Sequence, residues 1–228
     1  MKPLALITGV GPGTGSSVAR RFAAAGYRTA LIARDAKRLD ALARELPDAM
    51  ALPCDVTDPN ALAAAVREAG HAEVVVHNAV GGAWGSFLEI DPSVLAANFQ
   101  VNVMALLHLA RLTTPSMVQA GHGSLIVTGN TSALRGRARF AGFAPTKAAQ
   151  RILAESMARE LGPKGVHVAY LVIDATIDVP WARERLPDKP DDFFAKPDAI
   201  ANEVFHLVGQ DRSSWSFYAE VRPFAETW

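Results

Sequence analysis

The sequence has one cysteine and three tyrosines among 228 residues and no surplus of either charge, and each shortage excludes something. Cys54 alone cannot close an internal disulfide, so nothing in the chain requires an oxidising compartment. In Ala51-Leu52-Pro53-Cys54 it reads as a small buried apolar side chain. Lys and Arg number 23, as do Asp and Glu, which leaves no long-range field to draw nucleic acid or an anionic membrane surface. Zero net charge also removes the self-repulsion that opposes oligomerisation. Long apolar runs are missing as well. The stretch from Met1 breaks into a glycine loop after about five apolar residues, short of a secretory signal core. No run approaches the roughly 20 residues of a membrane span. A cytoplasmic location, no membrane and no nucleic-acid partner are the expectations. The six histidines are scattered without ligand spacing, so no metal is expected.

What is present is a regular alternation. Short β-type runs alternate with longer amphipathic segments, the pattern of βαβ units wound on both sides of a parallel sheet. Strands are expected at Leu4 to Thr8, Tyr27 to Ala33, Met50 to Cys54, Glu73 to His77, Gly123 to Thr128, Val166 to Ile173 and Ser216 to Val221. The unbroken Val74-Val75-Val76 suits a strand buried on both faces. Helices are expected from about Ser16 to Ala25, Ala36 to Glu45, Asp58-Pro59 onward, Asp91-Pro92 to about Ala120, over most of Arg139 to Gly162, and Pro197 to Val208. Composition shifts once, at about 177–197, where prolines mix with charges. Only about thirty residues follow, too few for a core of their own, so this segment reads as a surface excursion over a ligand crevice.

Thr8-Gly9-Val10-Gly11-Pro12-Gly13-Thr14-Gly15 joins the first strand to the first helix. Glycines let such a backbone turn sharply and approach a pyrophosphate, and a helix N-terminus offers unpaired N–H groups. The spacing Thr8, Gly9, Gly13, Gly15 resembles that of the short-chain dehydrogenase/reductase family, and further residues fall in that family's order. Asp55-Val56 follows strand three, Asn78-Ala79-Val80 follows strand four where the family shows Asn-Ala-Gly, Asn102 sits in the long fourth helix, and Lys147 stands near the start of the fifth.

The resemblance spans the chain and implies one Rossmann-type α/β domain over 1–228, a doubly wound sheet of seven strands with helices on both faces. It implies a nicotinamide dinucleotide cofactor, with Gly9, Pro12, Gly13, Thr14 and Gly15 at the pyrophosphate and Asp55 and Val56 at the adenine. Asn78 and Ala79 would also bind the cofactor, with Lys147 at its nicotinamide ribose and the backbone near Ile177 at the carboxamide. It also implies a small-molecule carbonyl or alcohol substrate, and a homo-oligomer, dimer or tetramer, formed through the fourth and fifth helices. Ala105, Leu106, Leu109 and Leu112, with Leu153, Met157 and Leu161, offer apolar stripes for such an interface, although sheet packing needs the same residues.

Cofactor choice turns on the end of strand two. Arg34 is first past the strand and would pair with the 2′-phosphate of NADP, so NADP(H) is favoured over NAD(H). A slip of one residue would instead bring Asp35 to the ribose, and Asp35 can equally cap the next helix.

The catalytic pattern departs from the family. Carbonyl-reducing members use Ser, Tyr and Lys with an upstream Asn, the Tyr four residues before the Lys. Here the candidate catalytic residues are Asn102, Asn130 and Lys147, with Phe143 at the tyrosine position. Phenylalanine has no proton to give. Asn130, thirteen residues earlier at the serine position, can still donate a hydrogen bond to a carbonyl oxygen. Losing general acid–base help costs roughly 10²–10⁴-fold. After strand six the family's Pro-Gly is Asp174-Ala175, and its threonine is Val179. Asp174 and Asp178 read as turn formers, with Asp174 a substitute proton carrier as the sharper alternative. Arg135, Arg137 and Arg139 read as a solvated loop or as a seat for an acidic group. Trp84 and Trp181 flank the expected crevice. Two functions fit: an NADP(H)-dependent oxidoreductase with a replaced proton donor, or an inactive NADP(H) binder acting as a sensor or interaction module.

Overall fold

Seven parallel strands, in the order β3-β2-β1-β4-β5-β6-β9, form the centre of the computed structural model, which describes residues 2–225. They are β1 (Leu4–Thr8), β2 (Arg28–Ala33), β3 (Ala49–Pro53), β4 (Val74–His77), β5 (Gly123–Gly129), β6 (Val166–Ile173) and β9 (Tyr218–Val221). Alternation along β1 shows why both faces must be covered. Leu4 and Leu6 join one core, while Ala5 and Ile7 join the other. The first core is closed by α3 (Pro59–Ala69), α5 (Ala105–Ala120) and α6 (Ala144–Leu161), through Leu62, Leu109 and Ala154. The second is closed by α1 (Thr14–Ala24), α2 (Ala36–Glu45) and α8 (Pro197–Val208), through Phe22, Leu39 and Val204. A single doubly wound α/β domain results, as the alternating pattern requires.

Local chemistry sets the helix starts. Asp35 and Asp58 accept hydrogen bonds from the first-turn N–H groups of α2 and α3, and Pro59 fills a first-turn position that needs no donor. Asp35 is therefore a cap. By contrast, α1 has Gly13 at its N-cap and no side chain capping it.

Three segments show detail beyond the expected pattern. The segment from Arg139 to Gly162 is mostly helix, as expected, with α6 starting at Ala144 after a loop in which Arg139 is left-handed (φ 65°) and Phe140 bridges to Gly85. The 177–197 segment, which puts Ile177, Val179 and Trp181 on the crevice, carries short elements of its own. It holds α7 (Pro180–Arg185) and a two-residue ladder of β7 (Thr176–Ile177) with β8 (Phe194–Ala195). Its Asp178 is clamped bidentately by Arg183 at 2.7 and 2.8 Å. Finally, α4 (Pro92–Phe99), a π-helical turn at Gln100–Met104 and α5 run on as one helix. Pro92–Ala120 is long and apolar enough, by length and composition only, to cross a membrane. In the fold, Ala105, Leu106, Leu109 and Met117 on this helix are buried in the sheet-side core.

Candidate functional site

The strand order reverses beside β1, and there the C-terminal ends of β1 to β4 open a crevice of about 940 Å³. Its floor is the glycine loop. Gly9 has φ 72°, and a Cβ there would lie 2.4 Å from the Ala79 nitrogen. A Cβ on Gly15 would lie 2.4 Å from the Gly9 carbonyl oxygen. Only glycine lets the loop fold this tightly onto the start of α1. At that uncapped helix start the Thr14 hydroxyl is buried without a partner, an orphan in a place where a phosphate oxygen would satisfy it. Above the loop, Val179 covers Gly13, whose Cβ would come within 2.6 Å of it.

The crevice's far end is charged. Arg34 and Arg38 both line it, Arg38 pairing with Asp35 at 3.1 Å. Next to them, Asp55 accepts from the Thr57 N–H at 2.9 Å and the Thr57 hydroxyl at 2.8 Å. Those hydrogen bonds, with Arg34 nearby, hold its carboxyl below the ordinary aspartate value. Asn78 ties the wall together, donating to the Gly9 carbonyl at 2.8 Å and accepting from the Thr128 hydroxyl at 2.9 Å. Behind it, His77 meets Thr8 at 3.0 Å, and burial drives its pKa down to about 3.

The end of β5 and the start of α6 are built differently. The Asn102 side chain, in the π-helical turn, pairs both ways with the Gly81 backbone and donates to the Thr146 hydroxyl at 2.8 Å. Asn130 caps a short 3-10 turn by accepting from the Ser132 N–H at 3.1 Å. Phe143 is 5% exposed and lies against Trp84, with ring centroids 5.7 Å apart. Lys147 is 2% exposed, and burial lowers its pKa to about 7. Its ammonium donates to the Thr128 carbonyl at 3.2 Å and to Gln150.

Of the residues expected from sequence, Gly9, Pro12, Gly13, Thr14, Gly15, Arg34, Asp55, Val56, Asn78, Ala79 and Ile177 all line the crevice. Lys147, Asn102, Asn130 and Phe143 do not. Trp181 lines it too, half exposed, whereas Trp84 covers Phe143 instead. Arg135, Arg137 and Arg139 border a separate cavity of about 720 Å³ with Ser132 and Phe140. Among the described residues no cluster of His, Cys, Asp or Glu could hold a metal ion.

The family model for short chain dehydrogenases matches residues 3–187. The chain belongs to the short-chain dehydrogenase family. Among its relatives, the D-erythrulose reductase of Gallus gallus is 34% identical over 165 residues, covering 72% of this chain and 67% of that protein. The L-xylulose reductase of Bos taurus is 29% identical over 220 residues, covering 92% and 90%. A metagenomic short-chain oxidoreductase solved in complex with NADP superposes with a TM-score of 0.84 at 28% identity, covering 97% of each chain.

Two residues of this short-chain dehydrogenase escaped the sequence reading. Arg38 is a second crevice arginine, four positions after Arg34, a spacing that places it on the exposed first turn of α2. Gln150 follows Lys147 by three on one helix face, which a search for polar neighbours of the lysine would have found.

Proposed function

We propose that the protein is an NADP(H)-dependent oxidoreductase of a small carbonyl or alcohol substrate, with Phe143 in the place of the family's tyrosine and Asn130 in the place of its serine. The observation that carries this reading is the crevice itself, a glycine cradle at one end and Arg34 with Arg38 at the other. Guanidinium pairs suit a 2′-phosphate, and Asp35, the residue that would read a 2′-hydroxyl, is spent capping α2. The glycine loop, the Thr14 hydroxyl and the α1 N-terminus would hold the pyrophosphate, and Asp55 the adenine. When bound, the cofactor supplies the hydride. This chain's own residues orient the nucleotide, while Asn130 offers a hydrogen-bond donor to the substrate oxygen and Thr131, Ser132, Asp174, the substrate or a water supplies the balancing proton. The segment at 177–197, with Trp181 on the crevice, serves as the variable substrate loop, and the outward Val94, Leu112 and Ile152 of α4 to α6 serve a homo-oligomer contact.

One observation favours a second reading, a binder without turnover. Phe143 is packed away under Trp84 and the Lys147 ammonium is satisfied internally. Fluorescence titration of purified protein with NADPH and NADH, repeated with Arg34→Ala, tests the nucleotide assignment. Micromolar NADPH binding that weakens on removing Arg34 supports it, and binding of neither nucleotide overturns both readings. Following NADPH oxidation over a panel of ketones then separates enzyme from binder.

A further inference from the structure

Lys147, expected from sequence at the nicotinamide half, lies instead in a buried polar cluster with Gln150 and Tyr170, outside the crevice lining. They are 2%, 0% and 0% exposed. Gln150 Oε1 accepts from Lys147 Nζ and from the Tyr170 hydroxyl, the latter at 3.3 Å. Gln150 Nε2 donates to the main-chain carbonyl of Asn102 at 2.7 Å, so the amide is fixed at both ends. The other acceptor for Lys147 Nζ is the Thr128 carbonyl at 3.2 Å. Thr128 in turn bonds Asn78 through its hydroxyl, and Asn78 lines the crevice. Lys147 therefore does not line the crevice, and its ammonium is held behind Thr128 and Asn78 of the wall.

Neutral acceptors are a poor home for a buried cation, because desolvation costs more than two such bonds return. Burial has accordingly pulled the lysine's pKa down to about 7. The lysine stem is flexible, and its ammonium can exchange one acceptor for another without moving the helix. What keeps it inward is the second acceptor, which an apolar side chain at position 150 would not provide.

We propose that Gln150 is a positioning residue of the nucleotide site, which draws the Lys147 ammonium inward so that it reaches the crevice only by letting go of Gln150. In its cofactor arm this rests on the NADP(H) reading.

The test compares Gln150→Met, which removes the acceptor at similar volume, with Gln150→Glu, which charges it. The NADPH dissociation constant is expected to fall roughly tenfold with Met and to rise by a similar factor with Glu, the scale of one charge-assisted hydrogen bond. Both effects should vanish when Lys147→Met is the background. Effects of the same sign, or effects that persist without Lys147, overturn the proposal. If Gln150→Met does not fold, the Glu variant alone carries the sign and its dependence on Lys147. A second readout needs no nucleotide: acetylation of Lys147 by acetic anhydride, followed by peptide mass spectrometry. Labelling should quicken in the Met variant and slow in the Glu variant, and equal rates in wild type and the variants that fold overturn the proposal. Were wild type to bind no NADPH, the nucleotide reading would fail while the labelling still decided the role of Gln150.

Discussion

Two ends of the same sheet treat their polar groups in opposite ways. At the ends of β1 to β3, the helix α1 starts without a cap, the Thr14 hydroxyl has no partner, and Arg34 and Arg38 line an open crevice, Arg38 paired with Asp35. At the end of β5, Asn102, Lys147, Gln150 and Tyr170 bond one another or nearby backbone, and Phe143 is packed under Trp84. A polar group left unsatisfied in a concave site waits for a ligand, since burial without a bond is costly. A polar group satisfied internally must first break a bond to serve one. The crevice end thus leaves polar groups open to a ligand, whereas the β5–α6 end is closed upon itself.

The sharpest way to break this contrast is to restore a proton donor. Phe143→Tyr is expected to raise turnover of a generic ketone with NADPH by roughly 10²–10⁴-fold. No gain in a folded, cofactor-bound variant would mean that the closure under Trp84, not the missing hydroxyl, limits the site. Next in size is acid stability. His77 titrates near 3 in the fold against 6.5 for the free side chain, so between those values the unfolded chain takes up a proton that the fold refuses. Stability should be full above about pH 6.5 and fall towards pH 3, by on the order of 5 kcal/mol. Urea midpoints of His77→Asn should show a shallower fall, and a slope equal to wild type would refute the assignment. Gly9→Ala, which forces a Cβ onto the Ala79 backbone at positive φ, should cost about 3 kcal/mol and lower the melting temperature by roughly 6–12 °C. Calorimetry checks this, and an unchanged transition would show the loop to be less constrained than its geometry. Smallest is the pair Arg34→Ala and Arg38→Ala, expected to weaken NADPH about 100-fold together and leave NADH unchanged, measured by titration.

Legibility followed the same divide. The crevice wall was readable because its lining residues lie at strand ends, and strand ends are marked by local signals: Thr8-Gly9 after β1, Arg34 after β2, Asp55 after β3 and Asn78 after β4. Capping chemistry likewise fixed α2 and α3 at Asp35 and Asp58. The loop that precedes α6 was less legible, because a left-handed Arg139 and a bridge from Phe140 to Gly85 are set by long-range packing that residue type does not mark. The apolar stripes split for a similar reason. Leu106, Leu109 and Leu161 are buried while Leu112 points outward, a difference set by helix rotation against the sheet rather than by residue type.

By itself the sequence determined the alternation of strands and helices, the glycine loop and the absence of a phenolic proton four residues before Lys147, because period, cap and residue identity are local properties of the chain. Only tertiary structure decided where the Lys147 ammonium goes. Its acceptors come from Thr128 on β5 and Gln150 on α6, and Gln150 is fixed in turn by Asn102 and by Tyr170 on β6. A buried charge turns toward whatever bonds the packed elements bring within reach, and that reach is set by how β5, β6 and α6 meet.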